Sequence, residues 1–185
     1  MFCNRISHAL FSPALAPLLA LLLTASAPRA AESVDFNGFL AGVESRCRGS
    51  AAFEEFLMLL GERHVTSFRA PRPYGKEKLP DGVREAIGKE IASDQGSYVL
   101  ISAPLLGQAW GLSVRGLELA VGKGNGAFAF AIVFAANSAK VRATFGKAME
   151  DADARLRAEL KSPESVLSIV DFGAPKLVCN LGRAS

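Results

Sequence analysis

AFAFAIVFAA, residues 127–136, is the stretch on which the fold turns. In an extended chain Phe128, Phe130, Ile132 and Phe134 share one face, and Ala129, Ala131, Val133 and Ala135 share the other. Both faces are apolar, which predicts a central strand, and the small residues of the second face suit a helix lying close against it.

The period changes directly afterwards. In NSAKVRATFGKAMEDADARLRAELKSP (137–163), Val141, Phe145, Ala148, Ala152, Leu156 and Leu160 form one helical stripe. Asn137 or Ser138 serves as its cap, and Ser162-Pro163 stops it. Two further strands, SVLSIVDF and PKLVCNL, flank a turn at Gly173-Ala174-Pro175. Upstream, YVLISAPL and WGLSVRGLELAVG are also strand-like, and GKGNG (122–126) joins the second of them to 127–136. Asn125-Gly126 is a hairpin signal.

Nearer the N-terminus, Phe36, Phe39, Leu40, Val43 and Cys47 recur at helical steps, predicting one amphipathic helix over 35–48 with Ser33 or Asp35 as cap. AAFEEFLMLLG is a second helix ended by Gly61, and a third over 81–92 follows from Val83, Ile87 and Ile91, with Asp81 as cap. Short connections favour antiparallel pairing. The expected fold class is therefore α+β: a two-layer sandwich in which a mainly antiparallel sheet of about five strands packs against N-terminal helices and one long helix from the C-terminal half.

Residues 1–30 read as a secretory signal. Arg5 provides the positive start, ALAPLLALLL the apolar run and TASAPRA the small residues, with cleavage expected near Ala30 or Ala31. The apolar run is too short for a membrane span and is broken by Pro17, so no stable membrane anchor is expected after cleavage. Residues 31–185 then form a single domain in the periplasm or secreted. Loss of Arg5 and Arg29 leaves 19 Lys+Arg against 18 Asp+Glu, a near-neutral balance that argues against nucleic acid as a partner.

Cleavage also removes Cys3 and leaves Cys47 and Cys179. An even pair in an exported chain predicts a disulfide, here tying the last strand to the first helical segment.

The same inventory excludes several chemistries. His64 is the one histidine beyond the leader, so three or four zinc ligands cannot be assembled, and neither a metal nor another cofactor is expected. The glycines at 122, 124 and 126 are followed by a strand, whereas a phosphate loop needs a helix N-terminus there. No serine stands in a G-x-S-x-G elbow. Glu54, Glu55, Glu150, Asp151 and Asp153 read as solvated helix faces.

The segment 63–78 differs in composition. Arg63, Arg69, Arg72, Lys76 and Lys78 are interleaved with Phe68, Tyr74 and prolines, a combination enriched at interfaces. Trp110, between Gly107 and Gly111, is a further recognition candidate on a strand. The leading expectation is a non-catalytic periplasmic protein of an inhibitor, immunity or envelope accessory type, binding a protein or envelope component through Arg69, Arg72, Tyr74, Lys76 and Trp110. Two alternatives belong to other classes: an envelope hydrolase using Cys47 or a serine with His64, and a carrier of a small apolar ligand between the phenylalanine-rich strand and the long helix. Close packing implied by the alanine face weighs against the carrier.

Overall fold

Long runs of alternating burial build the sheet. The structure, a computed structural model, describes residues 33–65, 79–124 and 126–183, all within one unit, Glu32–Ser185. Strands β3 (Tyr98–Ala109), β4 (Leu112–Gly122) and β5 (Ala127–Phe134) pair antiparallel in chain order. Helix α5 (Ser138–Leu160) follows, and the chain returns as β6 (Leu167–Phe172) and β7 (Ala174–Arg183), with β7 lying between β5 and β6.

Among the described residues the sheet has seven strands, somewhat more than the five or so expected. The two additional strands share the outer edge of β3. There β1 (Val34–Asp35) pairs parallel to Gly107 and Gln108, and β2 (Ile91–Asp94) pairs antiparallel to Val99–Ser102. Such short segments carry no period of their own; the length of β3 provides the pairing groups. Gly107 explains why β1 can dock, because a Cβ at that position would lie 2.3 Å from the Val34 carbonyl oxygen.

The predicted helix over 35–48 is broken. Asp35 Oδ1 accepts the Asn37 N–H at 2.8 Å, and α1 (Asn37–Leu40) follows. Gly42 then takes a left-handed φ of 99° and redirects the chain into α2 (Val43–Arg46), which ends at Cys47, itself at φ 50°. Helix α3 (Ala51–His64) is capped by Ser50, whose Oγ accepts the Phe53 N–H at 3.2 Å. It runs through Gly61 to His64, a turn beyond its expected end. Helix α4 (Asp81–Ala86) stops well short of 92, and Ile91 belongs to β2. In α5, Asn137 is the cap, and Gly146 breaks the helical backbone with φ 39° and ψ −135°. The stripe shifts by one residue at that point: Val141 and Phe145 are buried, then Met149, Ala152 and Leu156 face the core, while Ala148 is exposed.

The helices cover the opposite sheet face from the one expected. Ring contacts run from Phe53 on α3 to Phe130 and from Phe145 on α5 to Phe134, so the phenylalanine face of β5 meets the helical layer. On the alanine face, Glu118 of β4 and Lys176 of β7 reach across β5 and form an ion pair at 2.7 Å. Their cross-strand neighbours on β5 are Ala131 and Val133. The small residues there let two long charged side chains lie flat over the strand, with their apolar stems on it.

Asp153, expected on a solvated face, instead anchors β6 to α5. Its Oδ1 accepts the N–H groups of Val166 at 2.7 Å and Leu167 at 2.8 Å and the Ser165 hydroxyl at 3.1 Å, and its carboxylate pairs with Arg157. Burial pushes this carboxyl up, but the Leu167 and Val166 N–H groups, the Ser165 hydroxyl and Arg157 outweigh it and hold the group below its ordinary value. A carboxyl depressed in the fold stabilises above its unfolded value, about 3.9, and that contribution is lost as pH falls through the folded value. Asp153→Asn is expected to cost about 1 kcal/mol at pH 7 and less near pH 3, below the ordinary carboxyl value of 3.8, where the contribution has begun to be lost. Urea melts of both proteins at the two pH values check this; a gap independent of pH would contradict it.

Candidate functional site

A cleft of about 770 Å³ opens in the helical layer at one end of the sheet. Its origin is the placement of the two long helices. Helix α3 packs mainly over β3 and β4, whereas α5 packs mainly over β6 and β7, and the cleft lies between them beside Phe128 and Phe130 of β5. Phe53, Leu57, Phe130 and Leu156 form the buried floor, and Phe128 and Leu160 stand partly exposed on its walls. Gly49 sits against the Phe53 ring, where a Cβ would lie 2.3 Å from a ring carbon, so the absence of a side chain there keeps the ring seated.

The mouth is charged. Arg46 ends α2, Arg48 follows Cys47, and Arg155 projects from α5. Arg155 Nη2 donates to the Ser45 carbonyl oxygen at 2.9 Å, which brings its guanidinium to the same turn as Arg46. Glu54 and Glu159 also line the cleft. Among the described residues, none of the three arginines forms an ion pair. Arg46 and Arg48 bracket Cys47 as RCR; that local charge density is the signal in the sequence that could have marked the mouth. Arg155 reaches it only through the fold.

Cys47 lines the cleft, and its sulfur lies within disulfide range of Cys179, with Cα atoms 5.4 Å apart. Both residues are buried. Cys179 sits in the middle of β7, opposite Phe130 on one side and Leu167 on the other. β7 is also held by ladders on both edges. A disulfide between Cys47 and Cys179 would tie the N-terminal segment around α1 and α2 to that strand.

Of the other sequence candidates, Arg69, Arg72, Tyr74 and Lys76 lie outside the described residues. Trp110 is not within a strand. It occupies the two-residue turn between β3 and β4 with Gly111, at φ values of 52° and 71°. Its N–H donates to Asn37 Oδ1 at 2.7 Å, and its ring packs edge-on against Phe134 and Phe145 with centroids 6.3 and 5.3 Å away. The ring is half-buried, and of its two flanking glycines Gly107 is approached by the backbone of β1.

His64 is at the far end of α3 from Cys47. The fourteen residues of α3 separate them by about 20 Å at 1.5 Å per residue, so they form no dyad. His64 Nε2 faces Glu90 Oε1 at 3.8 Å, and Arg63 pairs with the same carboxylate. Among the described residues no cluster of His, Cys, Asp and Glu could hold a metal ion, and no helix is long and apolar enough to cross a membrane.

No family model, curated protein or solved structure matches this chain. The chemistry of the cleft therefore carries the functional reading.

Proposed function

We propose that this chain is a non-catalytic exported protein that holds the apolar chain of a small ligand in the cleft between α3 and α5. The observation that carries the reading is the cleft itself: an apolar floor of Phe53, Leu57, Phe130 and Leu156 beneath a charged mouth. Its volume falls within the roughly 300–1,000 Å³ of small-molecule sites. From the sequence, the alanine face implies close helix packing and weighs against a carrier. That objection lapses once the helices are found on the phenylalanine face, where α3 and α5 stand apart over Phe128 and Phe130. Phe134, on the same face of β5, is packed against Trp110 and Phe145. Export is supported by the leader-like residues 1–30 and by the proximity of the two remaining cysteines. The macromolecular partner expected from the sequence would rest on 66–78, outside the described residues.

N-phenyl-1-naphthylamine, a neutral dye that brightens in apolar surroundings, is expected to bind the delipidated protein saturably. Leu160→Glu, at a half-exposed wall position, is expected to weaken that binding at least fivefold with the melting temperature nearly unchanged, because the lost apolar contact is joined by a charge inside the lip. Absence of saturable binding, or equal affinity in the variant, would remove the cleft from consideration.

A further inference from the structure

We infer that the ligand bears one apolar chain ending in an anionic headgroup, a carboxylate or a phosphate monoester, and that Arg46, Arg48 and Arg155 receive that headgroup. This rests on the reading of the cleft as an apolar chain site and adds the chemical class of what enters it.

Three arginines line one mouth from two elements and a loop, the Arg46 guanidinium lying against Gly42 and that of Arg155 on the Ser45 carbonyl, and like charges gathered in one region are stabilised by an anion. The arrangement is built in. The Arg155 hydrogen bond to Ser45 brings the α5 cation next to α2. Cys47, between the other two, is buried against Cys179 in the centre of β7, so the backbone that carries Arg46 and Arg48 is anchored to the sheet. Guanidinium forks match carboxylate and phosphate oxygens in geometry as well as in charge. Glu54 and Glu159 line the same cleft without pairing to these arginines, so the lining keeps an excess of positive charge and favours an anion over a cation. All three arginines are exposed while the floor is buried. A ligand placed to suit both would leave its hydrated headgroup at the water boundary and run its chain inward over Phe53 and Phe130.

The test uses the full chain, expressed for export, purified and delipidated, with displacement of N-phenyl-1-naphthylamine as readout. The competitors are dodecanoate, dodecyl phosphate, dodecanol and dodecylamine, with octanoate and inorganic phosphate alone as controls. Dodecanoate or dodecyl phosphate is expected to displace the dye at about tenfold lower concentration than dodecanol, and dodecylamine to be weakest. The better of the two anions identifies the headgroup. Octanoate is expected to be weaker than dodecanoate by about fourfold for each methylene removed. The anion preference is expected to shrink as salt rises from about 0.05 to about 0.5 M, because the mouth is exposed. Replacing Arg46, Arg48 and Arg155 together by Gln is expected to bring the dodecanoate-to-dodecanol displacement ratio to about one, a ratio that does not depend on how the variant binds the dye itself; a ratio unchanged from the unmodified protein would overturn the assignment.

Equal displacement by dodecanoate and dodecanol in the unmodified protein would overturn the headgroup assignment and leave the cleft standing. Inorganic phosphate competing as well as dodecyl phosphate would overturn it in favour of a simple anion site. Failure of the dye itself to bind would overturn both readings.

Discussion

Replacing Cys47 and Cys179 together by alanine is expected to lower the unfolding free energy by about 3–5 kcal/mol. The chain between them is long, with a sequence separation of 132 residues, and a crosslink closing such a loop removes a large entropy from the unfolded ensemble. The expected loss is comparable to a substantial part of the stability of about 5–15 kcal/mol typical of a domain. Its local consequence is set by where the two residues sit. Cys179 belongs to a strand paired on both edges, so β5, β7 and β6 are expected to keep their amide protection relative to the rest of the molecule. Residues 37–48 have no ladder and only two single-turn helices, and their amides are expected to exchange first. Intact mass after alkylation checks the premise: two alkyl groups added only after reduction, on a chain lacking its leader. Urea melts and hydrogen exchange check the rest. A change in stability below about 1 kcal/mol, or protection lost first in β7, would contradict this account.

Phe39→Ala is expected to cost about 3–5 kcal/mol, which for a domain of this size lowers the melting temperature by about 10 °C. Helix α1 has four residues and no side-chain cap, so it cannot be stable in isolation, and its conformation depends on what Phe39 touches. The Phe39 ring is 5% exposed and lies within 6.2 Å, centroid to centroid, of Phe36, Phe53 and Phe56, edge-on to Phe53. Its carbonyl oxygen also accepts from the Ser50 hydroxyl at 2.9 Å and from the Ser50 N–H at 3.2 Å, so the same residue steadies the cap of α3. Truncation leaves a cavity at the junction of α1 and α3, next to the floor of the cleft. Leu106→Ala, at an exposed position of β3, serves as the control and is expected to shift melting by less than about 2 °C. Equal shifts in the two variants would show that the aromatic cluster is not the anchor.

Particular elements show where sequence reading succeeds. Strands β3 to β7 and helix α5 each contain enough apolar repeats for the period to be unambiguous, and hairpin chemistry at 122–126 joins the correct pair. The failures lie where a single backbone angle or a distant partner decides. Gly42 and Gly146 each sit inside a good helical pattern, and a left-handed φ at one residue splits the first helix and moves the apolar stripe of the second from Ala148 to Met149. Trp110 resembles a strand residue because aromatics favour strands, yet it occupies a turn position that requires positive φ. Strands β1 and β2 are too short to show alternation and exist because the edge of β3 away from β4 offers them pairing groups.

The candidate site divides in the same way. Phe128, Phe130, Cys47 and Cys179 can be singled out from the sequence, and the RCR cluster is visible in it. Which face of β5 the helices choose is not, since both faces are apolar and period alone does not rank them. The cleft depends on that choice and on α3 and α5 resting over different strands, and Arg155 joins Arg46 and Arg48 across more than a hundred residues of chain. The amino-acid sequence by itself determined the α+β class, the strand-forming and helix-forming segments and the presence of two cysteines beyond residue 31, because these follow from local periodicity and composition. Tertiary structure alone decided the covered face, the seven-strand order and the cationic mouth of the cleft, because these arise from packing and chain reversal between residues far apart in sequence.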